Sequence, residues 1–187
     1  MGAEAPLRPQ RHFLALAPDA PARAALAAEP CPDGARPVPA ADLHVTLLFL
    51  GTLAPEREPD VLQAMRAVPA GAVRVRFDRL ECWAGPRAWV AVPAVEERSV
   101  ADLAEAFAAA LLPLVGDRLT AARKLPFRTH LTIARRVPGA PAPTSLAAPV
   151  EWQAREVLLM ASGLPGPTRY SRRGVVPLGL RGAAGSR

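Results

Sequence analysis

Residues Asp42–Gly51 read DLHVTLLFLG, and residues Thr129–Arg136 read THLTIARR. Both stretches are short and rich in Val, Ile, Leu, Phe and Thr, the composition of a strand, and Gly51 closes the first. Each carries a histidine followed two places later by a threonine: His44 with Thr46, and His130 with Thr132. In a strand, positions i and i+2 point to one face while i+1 and i+3 point to the other. Each histidine therefore shares a face with its threonine, and Val45, Leu47, Phe49, Leu131 and Ile133 are expected to form the apolar underside. The chain has three histidines and seven threonines, so two histidines gaining threonine at this spacing by accident has odds of roughly four in a thousand.

Working outward, the run Phe13–Ala17 (FLALA) stops at Pro18 and reads as a buried strand. Asp19 is placed to cap a short Ala-rich helix reaching about Ala28, with Pro21 in its first turn. Residues Glu29–Ala40 hold four prolines and Gly34 and are expected to be loop. Val61, Leu62, Met65 and Val68 have helical spacing within Pro59–Val68. Val73, Val75 and Phe77 alternate with Arg74, Arg76 and Asp78, the pattern of a strand with one wet face. A turn at Gly85-Pro86 then offers Ala88–Val92 as a hairpin partner. Ser99–Asp102 resembles a capping box, and Val100, Leu103, Phe107, Leu111 and Leu114 continue a helix until Gly116. Thr129–Arg136, Glu156–Ser162 and Tyr170–Leu178 complete the strands, with a proline-rich loop expected over Pro138–Pro149. Strands and helices interleave without a βαβ rhythm, which favours an α+β fold with antiparallel sheets.

The chain is 187 residues long, with half of them hydrophobic and a fifth charged, enough for one core or two small lobes and incompatible with a disordered tail. Twenty-three basic against seventeen acidic residues leave a net charge of +6, a balance that suits a polyanionic partner. Only Lys124 is a lysine, and Ala, Arg, Pro and Gly crowd the chain, so biased composition explains the excess equally well. Cys31 and Cys82 lie 51 residues apart without metal or redox spacing. No segment approaches the ~20 apolar residues of a membrane span, and Met1–Gln10 lacks a signal-peptide core. A cytoplasmic chain is expected, with no membrane partner.

Two histidines and two hydroxyls suit cleavage of a phosphodiester. One imidazole, titrating near ~6.5, activates the nucleophile, and the other protonates the leaving oxygen. The hydroxyls of Thr46 and Thr132 would hold the non-bridging phosphate oxygens. His12 has no threonine at +2 and is expected to be a structural or surface residue. No third metal ligand stands at characteristic spacing, so neither metal nor cofactor is expected.

The segments RHFLALAPD (11–19), ARPVPAADLHVTLLFLG (35–51), LPFRTHLTIAR (125–135) and TRYSRRGVVPL (168–178) together resemble the two-histidine (2H) phosphoesterase superfamily, in its RNA 2',3'-cyclic phosphodiesterase (2'-5' RNA ligase) branch. The resemblance implies a bilobal α+β fold over residues 1–187, with two pseudo-symmetric antiparallel sheets flanking a cleft and helices outside. It implies metal-independent hydrolysis of 2',3'-cyclic phosphate ends of RNA to 2'-phosphates, and 2'-5' joining in the reverse sense. Separately, the chain is expected to be a monomer. His44 resembles the general acid and His130 the base, and Thr46 and Thr132 resemble phosphate clamps. Arg135 matches a basic position near the nucleotide, yet strict alternation puts it opposite His130, so its involvement needs a bulge or a strand end. Relatives often have proline where Thr129 stands. Phe13 and Tyr170 are candidates for base stacking, with packing roles the simpler reading. Rival readings are a 2H phosphoesterase acting on another cyclic phosphate, and a non-catalytic RNA-binding module using Arg74, Arg76, Arg79, Arg172 and Arg173.

Overall fold

The computed structural model describes residues 10–116, 126–163 and 168–179. Among them the strands are β1 (Gln10–Leu16), β2 (Arg36–Pro37), β3 (Val45–Leu53), β4 (Val73–Trp83), β5 (Ala88–Val92), β6 (Leu131–Arg135), β7 (Thr144–Ala154), β8 (Glu156–Ser162) and β9 (Tyr170–Pro177). The helices are α1 (Ala20–Ala28), α2 (Glu58–Arg66) and α3 (Arg98–Val115). None of the helices is long and apolar enough to cross a membrane.

Local chemistry sets the helix ends. Asp19 caps α1, its Oδ1 accepting from the Ala22 N–H at 2.9 Å, and Pro21 sits in the first turn where no N–H is missed. α3 ends at Gly116, which takes φ 56° and donates its N–H to the Leu112 carbonyl at 2.9 Å. The expected capping box does not form. α3 starts at Arg98, so Ser99 lies inside the helix, and the residue before it, Glu97, makes no capping bond but pairs with Arg74 at 3.4 Å. One face of α3 (Val100, Leu103, Phe107, Leu111) is buried as its spacing requires.

The strands form one nine-stranded sheet in the order β7-β4-β5-β6-β3-β1-β8-β9, with β2 beside β6 and every named pair antiparallel. The α+β class and antiparallel pairing agree with expectation, whereas the two separate sheets do not. The two four-stranded halves are joined where β3 meets β6 through the register pair Val45–Leu131. Pairing there satisfies backbone groups that two free edges would leave exposed. Both residues are fully buried, and one core runs under both halves. An isolated parallel bridge, Gly71 to Gly179, brings the far end of the sheet back beside β4.

The proline-rich loop expected at Pro138–Pro149 is strand from Thr144 onward. β7 is an edge strand whose pairing with β4 breaks between the pairs Phe77–Val150 and Arg79–Ser145. Pro149 falls in that break, where no ladder N–H is needed. Gly174 of β9 is a point of close approach: a Cβ there would run into the Leu62 side chain of α2.

His12 is structural, as expected. It is 1% exposed, with Nδ1 2.8 Å from the Gln10 carbonyl oxygen and Nε2 2.9 Å from Glu58 Oε1. Glu58 also accepts from Arg173 Nε at 2.9 Å, so β1, α2 and β9 are tied together through its carboxylate. Cys31 and Cys82 are free thiols.

Candidate active site

The two motifs meet at the centre of the sheet. His44 follows a 3-10 turn, Ala40–Asp42, and His130 immediately precedes β6, so each imidazole stands at the mouth of a strand. The Val45–Leu131 pair fixes the antiparallel register. One step to either side, Thr46 faces His130 and His44 faces Thr132. Residues flanking a buried pair point to the opposite face, which places both histidines and both threonines on one side of the sheet. Diagonal neighbours in this arrangement lie about 7–8 Å apart, a separation that a phosphate fills.

The same displacement recurs in both strands. The pairing of β3 with β1 skips Leu47, between Leu48 and Thr46. The pairing of β6 with β5 skips Ile133, between Ala134 and Thr132. Each skipped residue lies three places after the histidine. Consequently Leu47 and Leu48 are both buried, as are Ile133 and Ala134, and the alternation reverses beyond them. The reversal turns Phe49 and Arg135, each five places after its histidine, to the face that carries the motifs. Arg135 thereby acquires the bulge its involvement required. The same reversal corrects the reading of Phe49, which is no underside anchor but is 59% exposed.

Both catalytic candidates are held through Nδ1. His44 Nδ1 donates to the Asp42 carbonyl at 2.6 Å, and His130 Nδ1 donates to the Arg128 carbonyl at 2.8 Å. With Nδ1 donating, the tautomer leaves Nε2 as the acceptor nitrogen of each neutral ring. Burial pushes the His44 imidazole below the ordinary histidine range, opposed by its bond to Asp42 and reinforced by the charges of Arg135 and His130. Burial also lowers His130. Its bond to Arg128 raises it, the Arg128 charge lowers it, the Glu96 charge raises it and the Arg135 charge lowers it. The guanidinium of Arg135 thus acts on both rings, and the charge of His130 acts on His44.

The surroundings of the two imidazoles differ. His44 packs among aromatics, 5.0 Å from the Phe13 ring and 5.0 Å from the Tyr170 ring, the latter edge-on. Phe13 is itself buried, so it serves this packing. Asp42, also buried, accepts from the Arg169 N–H at 3.1 Å and so ties the approach to β9 against His44. His130 packs against Trp83, the two rings tilted by 42° with centroids 4.4 Å apart. Arg128 lies over the same indole, and Glu81 pairs with Arg128 at 3.2 Å. Beside His130 opens a cleft of about 720 Å³ lined by Thr46, Phe49, Trp83, Phe127 and Arg128 among others; His44 is not among its lining residues.

Thr129, which stands where relatives often carry proline, is 2% exposed. Its N–H donates to Glu96 Oε1 at 2.9 Å, and its hydroxyl donates to the same oxygen. A proline has no N–H for such a bond. The clasp between Glu96 and Thr129 holds the loop that delivers His130.

Trp83, Glu96 and Asp42 were not legible as site residues, because each acts through contacts made by distant segments. The arginines of the binding-module reading are ion-paired: Arg74 with Glu97 and Glu151, Arg76 with Asp78 and Glu151, Arg79 with Glu81, Arg172 with Glu156, and Arg173 with Glu58. Among the described residues no cluster of three His, Cys, Asp or Glu side chains is placed to hold a metal ion.

Comparison with known proteins points the same way. The sequence model of the LigT-like phosphoesterases matches residues 16–90. An RNA 2',3'-cyclic phosphodiesterase of Thermus thermophilus is 34% identical over 139 residues, which is 70% of this chain and 69% of the relative. Among solved structures, Escherichia coli LigT complexed with 3'-AMP superposes with a TM-score of 0.78 at 25% identity, over 91% of this chain and 99% of that one. The Thermus thermophilus protein TT0787 superposes with a TM-score of 0.76 at 29% identity, over 92% of this chain and 100% of that one.

Proposed function

The chain belongs to the LigT-like family of two-histidine phosphoesterases, and from that membership we propose that it hydrolyses the 2',3'-cyclic phosphate ends of RNA to 2'-phosphates through His44 and His130. A single domain of two related halves carries the activity, each half giving one motif. The observation that carries the reading is the pairing of Val45 with Leu131, which sets both motifs on one face of the sheet.

In this mechanism His130 Nε2 takes a proton from water as the water oxygen attacks phosphorus. The bond from phosphorus to O3' breaks on the opposite side, and His44 Nε2 gives its proton to the departing O3'. One P–O bond forms and one breaks. His130 ends protonated and His44 neutral, and exchange with solvent restores both. The hydroxyls of Thr46 and Thr132 donate to the non-bridging oxygens, and the guanidinium of Arg135 offsets the charge that develops there. Thr132 and Arg135 lie on β6, the strand that His130 immediately precedes, so the clamp and the base are held by one element. With a 5'-hydroxyl in place of water, the same two imidazoles would join RNA ends through a 2'-5' linkage.

The arrangement favours catalysis over passive RNA binding. The arginines that a binding module would rely on are engaged by carboxylates, whereas the two working nitrogens have no protein partner among the described residues. The test is incubation with 2',3'-cyclic AMP in the presence of a chelator, with the product isomer identified by ³¹P NMR. Formation of 2'-AMP at an unchanged rate is expected. Formation of 3'-AMP would overturn the assignment of the leaving oxygen, and no turnover would overturn the function.

A further inference from the structure

We propose that Arg36, Arg135 and Arg136, with Arg87 beside them, form a track for the backbone phosphates of the single-stranded RNA that leads to the cyclic end. The track lies at one end of β6 and rests on the phosphodiesterase reading of the site it adjoins.

Register carries the placement. Arg36 of β2 is the direct partner of Arg135 of β6, and the Val38 N–H donates to the Ile133 carbonyl at 2.8 Å, which locks the pairing. Directly opposed residues in an antiparallel pair project to the same face. Arg36 therefore stands beside Arg135 on the face that holds His130 and Thr132. On the other side of β6, Ala88 opposes Arg135, so the next residue out, Arg87, falls beside Arg136. Four arginines thus occupy neighbouring register positions where three strands join.

Like charges placed directly opposite one another are destabilising. Here nothing offsets them: among the described residues no carboxylate lies within ion-pair distance of Arg36, Arg87, Arg135 or Arg136. Contrast the arginines of β4, each of which is matched by an acid. The backbone adds a second, independent sign. Among the described residues the left-handed region holds just two non-glycine residues, Arg87 at φ 50° and Arg136 at φ 57°. Such conformations are unfavourable, and they cluster where function fixes the chain. They are locked together, since the Val137 N–H donates to the Arg87 carbonyl at 3.0 Å and Arg87 Nε donates to the Val137 carbonyl at 3.3 Å. Unpaired like charges on a fixed backbone are a site for an anion, and their spread over three strands, about 10 Å, suits a polyanion better than a single phosphate. Continuity with the active site through Arg135 identifies that polyanion as the substrate's own strand.

The proposal predicts that chain length matters. Binding is read as fluorescence anisotropy of a labelled hexaribonucleotide ending in a 2'-phosphate over a salt series. Turnover is read on 2',3'-cyclic AMP and on the hexamer with a cyclic end. The double variant Arg36→Gln, Arg136→Gln should weaken hexamer binding about tenfold at low salt and reduce the salt slope by about 1.4, the value for two phosphate contacts on a single strand. It should turn over 2',3'-cyclic AMP as the unaltered protein does, which also reports that it is folded. The control Arg74→Gln, Arg76→Gln removes the same charge from ion-paired positions and should leave hexamer binding within about twofold of the unaltered protein. Equal losses in the two double variants would overturn the track and leave only net charge, and so would a hexamer bound no better than cyclic AMP. Failure of the unaltered protein to hydrolyse either substrate would instead overturn the phosphodiesterase reading, while hexamer binding would still decide the track.

Discussion

Glu96 is the residue whose replacement most sharply separates holding His130 from tuning it. Its Oε1 accepts both the N–H and the hydroxyl of Thr129, and Thr129 is 2% exposed. Glu96→Ala leaves two donors without an acceptor at a site where water has little access. An unsatisfied buried donor costs about 1–3 kcal/mol, and Glu96 itself is exposed, so partial solvation holds the pair to a combined loss of about 2–3 kcal/mol. For a chain of this size that is a fall in Tm of about 4–12 °C. Glu96→Gln keeps an acceptor and loses the charge, so its thermal cost should be about 1 kcal/mol. The charge has a second effect. Glu96 raises His130 while burial lowers it, so the glutamine variant lets His130 fall further. A group that must be neutral to act sets the acid limb of the kcat/KM profile, and that limb should move to lower pH in Glu96→Gln with the alkaline limb unmoved. The assays are thermal unfolding and kcat/KM on 2',3'-cyclic AMP across pH. An alanine variant melting within 1 °C of the unaltered protein together with an unmoved acid limb would refute both the clasp and the field. Movement of the alkaline limb alone would exchange the roles of the two histidines.

Burial places both imidazoles below their ordinary value, so the bell-shaped kcat/KM profile of the free enzyme should have its maximum below pH ~6.5; a maximum above pH 7 would contradict the burial. Arg135 lowers both histidines, so Arg135→Gln should shift that bell to higher pH while kcat/KM falls about 10²–10³-fold, and an unshifted bell would remove Arg135 from the site. Gly174→Ala should destabilise the fold by about 1–3 kcal/mol through contact with Leu62, measured by urea unfolding, and adding Leu62→Ala should not deepen the loss in proportion if that contact is the cause.

Local signals in the sequence are those that depend on near neighbours. Asp19 and Gly116 set helix ends within one turn, and the valines of β4 alternate because one face alone is buried. The His-x-Thr pairs were legible for the same reason, since the shared face needs two residues and a strand. What escaped depended on distant partners. Pro149 argued for loop and lies in a break of the pairing with β4, which is specified by residues around Phe77. Phe49 reads as an anchor under strict alternation, and a skipped residue at Leu47 turns it outward. The joining of two halves into one sheet follows from contact between Val45 and Leu131, 86 positions apart. Trp83 gives no sequence sign of the histidine it supports.

Everything in the chemistry requires the two imidazoles to act on one phosphorus. Steady-state hydrolysis of 2',3'-cyclic AMP by His44→Ala, by His130→Ala and by the double variant measures this directly. Each single variant should lose about 10²–10⁴-fold in kcat, and the double variant should be no slower than the slower single one, because the pair works as a unit. A single variant within tenfold of the unaltered protein, or a double variant slowed by the product of the two losses, would contradict the shared site.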